Sequence, residues 1–330
     1  MSLNSRHIFK YQFWRILDHI SLSNTPSDIF SVQRKKILTS LNHDLRNNLV
    51  QGTLKKVDIV KGISDDELRD HYIKKGIPVV IKGKAKNWLA VKRWSPEWLL
   101  ENYCNDMVSI FDTNVNSIDY SVKDGKLKDV LLNMLSGNSS LYSRFNRILY
   151  DHPDLINDFD WRWLYNMRSI FSSGKTFQVF IGGKGTKTTL HAASENNLFT
   201  QIYGKKHWYL YPPSYDIIFD PPIMRAPYFH SIFDPDNPDF NKFPNAKFMD
   251  TWECELSPGD ILYNPPSWWH HVTNLDNSIG VGFRWFNLKD SLKMSISQTL
   301  LTALSTNPPI WYATKNRTDF AKIFRRMNKR

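Results

Sequence analysis

Two histidines, 79 residues apart, head the short set of side chains in this chain that could do chemistry. His191 lies in Thr188-Thr189-Leu190-His191-Ala192-Ala193-Ser194-Glu195-Asn196-Asn197. His270 lies in Gly259-Asp260-Ile261-Leu262-Tyr263-Asn264-Pro265-Pro266-Ser267-Trp268-Trp269-His270-His271. Either imidazole alone reads as an ordinary half-buried histidine. In a strand His270 and His271 point to opposite faces, so at most one of them faces a given pocket. The surroundings of His270 sharpen the reading. A Pro-Gly-Asp turn leads into a strand, two prolines fix the approach of the loop, and large indoles wall off water. Such a setting suits an imidazole offered to a dry cavity as a ligand for a divalent ion. The two cysteines, Cys104 and Cys254, can build neither a disulfide framework nor a Cys-based zinc site, which makes a reducing, cytoplasmic setting the default.

The elements that must position these histidines are mostly strands. From Thr176 onward short apolar or alternating runs follow one another: 176–181, 188–191, 198–203, 207–211, 260–263, 269–274 and 279–285. Turn signals separate most of them, among them Gly182-Gly183-Lys184-Gly185, Gly204-Lys205-Lys206 and Ser257-Pro258-Gly259. Many short strands with such punctuation imply a sandwich or barrel. Between Pro212 and Thr251 runs a Pro-, Asn- and Asp-rich stretch of about forty residues, expected to lie across the barrel mouth as a lid. Upstream, residues 1–50 read as helices broken at Asn24-Thr25-Pro26-Ser27. A further helix starts at Asp65 with Ser64 as its N-cap and Glu67 at the capping-box position, and it stops before Gly76. After Asn287 the chain turns helical again, with Ile296, Leu300, Leu301 and Leu304 on one stripe. The division is therefore an N-terminal helical extension (1–56), a barrel domain (57–287) and basic C-terminal helices (288–330).

Residues 57–287 resemble the cupin-like JmjC group of iron(II)/2-oxoglutarate-dependent oxygenases. The resemblance rests on Ile77-Pro78-Val79-Val80-Ile81-Lys82-Gly83, on Gln201-Ile202-Tyr203-Gly204-Lys205-Lys206-His207-Trp208-Tyr209-Leu210-Tyr211-Pro212-Pro213, and on the block from Pro258 to His270. It implies a mainly β fold, a double-stranded β-helix or jelly-roll barrel, holding iron(II) through two histidines and a carboxylate. The histidines correspond to His191 and His270. The carboxylate, two residues after the first histidine in the family's motif, corresponds to Ala193. Lys206 falls where the family pairs a lysine with the far carboxylate of 2-oxoglutarate, Thr188 where a hydroxyl supports that group, and Asn197 where an amide lies near it. Arg284 adds a second cation. A dicarboxylate entering a barrel needs its far end neutralised, or its desolvation is prohibitive. Without the resemblance, Lys206 would read as a solvated turn lysine. Tyr263, Trp268 and Trp269 are candidates for the substrate pocket, the alternative being barrel core.

Ala193 leaves three outcomes open. Oxygenase chemistry (hydroxylation) persists with water or another side chain in the position. Alternatively a halide, chloride for instance, occupies it, as in iron/2-oxoglutarate halogenases. Or the site is inactive and the protein is a binding module on an oxygenase fold. Glu195 shares strand parity with His191 but stands about 13 Å along an extended strand, so it helps only if the strand bends.

Bulk properties bound the partners. The net charge is +11, and residues 289–330 hold nine Lys/Arg against two Asp. That tail reads as a solvated helix face, since no nucleic-acid motif accompanies it. No apolar run of ~18 residues occurs, so no membrane span is expected. The C-terminal stripe either packs on a second copy, giving a homodimer, or covers the barrel of its own chain.

Overall fold

The β-rich reading from Thr176 onward predicts two facing sheets, and a computed structural model shows them. It describes residues 3–20, 30–48, 51–112, 122–138 and 140–316. The expected break at residues 24–27 and residues 317–330 of the basic tail lie outside these. The strands, in chain order, are β1 Leu54–Lys56, β2 Asp58–Val60, β3 Val79–Ile81, β4 Met107–Asp112, β5 Val122–Lys126, β6 Leu141–Asn146, β7 Ser173–Gly182, β8 Lys187–Ala192, β9 Asn196–Tyr203, β10 Lys206–Tyr211, β11 Phe229–His230, β12 Thr251–Leu256, β13 Ile261–Asn264, β14 Trp269–Asn274 and β15 Ser278–Phe286. One sheet runs β1-β12-β10-β14-β8-β11, the other β2-β3-β13-β9-β15-β7-β6-β4-β5.

Strands β7 to β10 alternate between the two sheets, and so do β12 to β15 after an intervening segment. The result is a jelly roll with a four-stranded antiparallel core in each sheet. Alternation then sorts the side chains. Phe180, Phe199, Trp208, Leu210, Leu256, Leu262 and Val272 fill the space between the sheets. Val179, Ile181, Leu198, Tyr263, Ile279 and Trp285 face outward into a helical layer that includes Leu99, Leu131 and Leu164.

The outer face of the smaller sheet is covered by α1 Ser5–Ile20 and α2 Ser31–Asn47 and by the 212–251 stretch. That stretch is not the expected lid. Ile217, Phe219, Phe229, Phe233 and Phe243 pack on Leu190, Trp269, Tyr11 and Leu41 as a buried layer. Its apolar residues are too many for a solvated flap, a point its Pro, Asn and Asp content masks. Further upstream, Ser64 caps as expected, accepting from the Glu67 N–H. The helix ends at Gly76, whose φ of +72° suits glycine.

Asp216 ties three parts of the chain together. Fully buried, it accepts from Trp269 Nε1 and Gln298 Nε2 at 2.6 Å each, from Gln12 Nε2 at 3.0 Å and from Arg15 Nη1 at 3.3 Å. An Asp216→Ala change strands the Arg15 guanidinium without its carboxylate. It is expected to cost about 3–5 kcal/mol, read as a lower urea midpoint. A loss under about 1 kcal/mol would show that this hub does not hold the helices to the barrel.

In the C-terminal stripe the structure separates the two expectations residue by residue. Leu301 is buried in the core, whereas Ile296, Leu300 and Leu304 stay exposed. Among the described residues no helix is long and apolar enough to cross a membrane.

Candidate metal and cosubstrate site

The two sequence-selected histidines meet. His191 on β8 lies directly opposite His270 on β14, and directly opposed residues share a face. Their ring centroids are 4.0 Å apart at 55°. A bulge follows in β8: two residues, Thr189 and Leu190, stand opposite His271 alone, so that Thr188 pairs with Val272. The extra residue turns Thr188 to the same side as His191, and both line one cavity.

Each imidazole is held by a backbone carbonyl two residues earlier. His191 Nδ1 meets Thr189 O at 2.8 Å and His270 Nδ1 meets Trp268 O at 3.0 Å. A protonated Nδ1 donating there leaves Nε2 as the lone-pair donor, the tautomer a metal needs. Burial pushes both rings toward the neutral form. His191 is held well below its usual range by desolvation and then by the charges of His270 and His230; His270 is pushed down to about 3 mainly by desolvation. Two neutral imidazoles facing one cavity fit a divalent ion. The residue two after His191 supplies no carboxylate: Ala193 is packed among Phe111, Ala226, Tyr228 and Ala313. Glu195 lies in the turn after β8 and lines a separate cleft.

The rest of the cavity is shaped for an anion. Lys206, fully buried on β10, has no carboxylate partner among the described residues. Its ammonium donates to Asn274 Oδ1 and, at 3.4 Å, to the Tyr142 hydroxyl. Asn274 is fixed in turn by donating to Thr186 Oγ1 at 2.7 Å and Gly182 O at 3.1 Å. Burial lowers the Lys206 pKa. Gly280 leaves the necessary room, since a Cβ there would meet the Phe199 ring at 2.4 Å and Lys206 Cε at 3.3 Å. Facing the histidines, the register sets Thr176, Arg284, Asn197 and Asn264 in one row across four strands of the larger sheet. Both amide atoms of the buried Asn197 lack a hydrogen-bond partner among the described residues, as does Thr176 Oγ1. Orphaned buried polar atoms are costly, and a polar ligand would satisfy them. Arg284 lines the cavity and its charge also lowers both histidines.

The enclosed space is about 20 Å³, room for about one water. Phe145, Phe180, Phe199 and Trp208 fill the remainder. A five-carbon dicarboxylate therefore enters only as these rings move. Phe145 sits in the left-handed region at φ +57°, a conformation that costs a non-glycine residue about 1–2 kcal/mol.

The three expected substrate-pocket residues do not line this cavity. Tyr263 points outward from β13, its hydroxyl bonded to Asn196 Oδ1 at 2.8 Å. Trp269 points outward to Asp216. Both follow from parity: Leu262 and His270 take the inward positions, so their neighbours cannot. Trp268 stacks edge-on against Trp252 and serves the site through its carbonyl. Sequence reasoning missed Asn274, although it shares parity with His270 four residues on. It also missed Tyr142, Asn264 and His230, for which single segments offered no signal.

The chain resembles known proteins over this same region. The family described as "Cupin-like domain" matches residues 65–291. Lysine-specific demethylase JMJ30 of Arabidopsis thaliana is 29% identical over 246 residues, 72% of this chain and 57% of that protein. Lysine-specific demethylase 8 of Xenopus tropicalis is 26% identical over 226 residues, 67% of this chain and 50% of the relative. HSPB1-associated protein 1 of Homo sapiens is 27% identical over 274 residues, 78% and 54% respectively. The chain thus spans about half the length of the curated relatives it matches. Paired histidines on adjacent jelly-roll strands, a lysine buried with no carboxylate beside it among the described residues and a match over most of the barrel agree: the chain belongs to the cupin-like domain family, as a JmjC-type member of the iron(II)/2-oxoglutarate oxygenase superfamily.

Proposed function

We propose that the chain is an iron(II)/2-oxoglutarate-dependent oxygenase that hydroxylates a C–H bond of its substrate. One observation carries the reading. A fully buried ammonium, Lys206, has no anionic partner among the described residues and shares a cavity with the two histidines. Burying a lone charge costs several kcal/mol, and a fold keeps one where a ligand of opposite charge completes it.

When bound, iron and 2-oxoglutarate supply the oxygen activation. The chain's own groups bind, orient and exclude water. Lys206 neutralises the far carboxylate, with Tyr142 and Asn274 fixing its ammonium and Thr188 adding a hydroxyl. His191 and His270 present Nε2 because their Nδ1 atoms are held by carbonyls. Trp208, Phe180 and Phe199 keep the cavity dry, which strengthens each of these charge contacts. A cleft of about 400 Å³, lined by Ser194, Glu195, Tyr228, Thr302 and the helix Ile310–Lys315, opens beside Ala193 and offers the substrate an approach. The demethylase names of two relatives are compatible with this chemistry, since oxidative demethylation begins by hydroxylating an N-methyl carbon.

Ala193 is the observation that favours a second reading, an inactive binding protein. The halide variant draws less support, because the Ala193 methyl faces apolar side chains. Anaerobic iron(II) plus 2-oxoglutarate is expected to give the weak visible charge-transfer band of a chelate, and oxygen then to release succinate. His191→Ala is expected to abolish the band. A band without succinate favours the inactive reading, neither band nor succinate removes the oxygenase reading, and a chlorinated product found in chloride buffer alone would turn it into a halogenase.

A further inference from the structure

A third imidazole stands in the row. The two-residue strand β11 pairs with the free edge of β8, setting Phe229 opposite Ala192 and His230 opposite His191. Since β14 sets His270 opposite His191 on the other side, His270, His191 and His230 share one face across three adjacent strands. The His230 ring is 5.9 Å from that of His191, centroid to centroid, and within 18° of parallel. It is buried.

Position and chemistry are complementary. The side of His191 where an acidic ligand would stand holds the Ala193 methyl, packed against Phe111, Ala226 and Tyr228. The strand on the open edge of β8 brings a nitrogen donor instead. Among the described residues, the one group of three donors already within 4.8 Å of one another is Asp234, Asp236 and His271, on the opposite face. That group is answered by the Lys187 ammonium at 2.6 Å from Asp236. The donors of the histidine row do not all lie within that distance, so a shared ion requires the His230 ring to turn toward His191. β11 is a two-residue edge strand that pairs with β8.

We propose that the divalent ion of this barrel is held by three imidazoles, His191, His270 and His230, with His230 taking the place of the carboxylate. The proposal rests on the metal-binding reading above. Three neutral donors leave the ion its full charge, which strengthens its hold on a dianionic chelate. Imidazole also suits iron(II) and cobalt(II) as well as zinc.

The test uses the full chain and cobalt(II), followed by anaerobic calorimetry, and pulsed electron resonance of the copper(II)-loaded protein to count bound imidazoles. The wild type is expected to show three. His230→Ala and His230→Phe should each weaken cobalt binding at least tenfold and lower the count to two. Ala193→Asp combined with His230→Ala should restore affinity to within a few fold, which separates a lost ligand from a damaged fold. A wild-type count of two, or unchanged affinity in both His230 variants, overturns this proposal while leaving the oxygenase reading intact. A wild type that takes up no cobalt overturns both.

Discussion

Lys206→Met is expected to make the ligand-free protein more stable and to abolish its binding of 2-oxoglutarate. The two effects have one cause. Lys206 is fully buried, and among the described residues its ammonium donates to the neutral oxygens of Asn274 and Tyr142 and lies over the Tyr142 and Phe199 rings, with no carboxylate beside it. Replacing such a buried charge by an apolar side chain of similar length removes a desolvation cost of several kcal/mol. Against this stands the Asn274 carbonyl, which loses its donor at about 1–3 kcal/mol. The net expectation is a gain of about 1–3 kcal/mol, seen as a higher urea midpoint. The gain should shrink as pH rises toward 10.5. Burial lowers the Lys206 pKa in the folded protein, so above that value the wild type sheds the proton and the penalty with it. The ligand effect runs the other way. Removing the cation that faces a buried carboxylate costs about 2–5 kcal/mol, a hundredfold or more in affinity. Wild type is expected to gain thermal stability with 2-oxoglutarate plus metal, and Lys206→Met to gain it with metal alone. A structural lysine would give the opposite first result: Lys206→Met would unfold more easily than wild type without any ligand.

The legible part of this site was the part written in local sequence. His191 and His270 are each embedded in a strand with recognisable punctuation, and strand parity assigns the inward histidine once the outward Trp269 is known. The same parity was available for Tyr263, whose inward neighbour is Leu262, yet the aromatic character of Tyr263 suggested a pocket where the fold uses it as outer core. The role of Thr188 depends on a bulge between Thr188 and His191, and a bulge leaves no mark in side-chain alternation. His230 was hidden for another reason. It comes from a two-residue strand inside a Pro-rich stretch, and only pairing with a strand some forty residues earlier gives it a place. Tyr142 likewise reaches Lys206 from a sheet extension with weak local signals. Long-range register, not composition, decides such residues. The orphaned Asn197 amide is visible only when every neighbour is known.

The metal-free protein is expected to lose stability steeply between pH 6.5 and about 4. Four histidines titrate far below their unfolded value. His19 is lowered to about 4, His230 and His270 to about 3, and His191 well below its usual range, in each case chiefly by burial. In the unfolded chain all four take up a proton near pH 6.5. The sign follows from linkage: where the unfolded state binds more protons, stability rises with pH. Their contribution is thus fully present above pH 6.5 and is withdrawn as pH falls. Each group contributes up to about 1.4 kcal/mol per pH unit, and the four together about 5 kcal/mol per unit at the steepest point. A domain of ordinary stability, about 5–15 kcal/mol, cannot sustain that for long, so half-unfolding near pH 5 is expected by circular dichroism with a chelator present. Other groups act elsewhere or oppose. The lowered carboxylates Asp236, Asp250 and Glu253 add their loss mainly below pH 4.5, and the raised Asp216 and Asp290 offset part of it on the way down. His19 lies outside the metal site, so His19→Gln should make the slope about one quarter shallower while leaving metal affinity alone. Saturating cobalt(II) should shift the acid midpoint to lower pH, because an ion bound to the folded rings must be displaced before they protonate. A stability that stays flat from pH 7 to 4.5 would mean that these imidazoles are not buried and neutral in the folded protein.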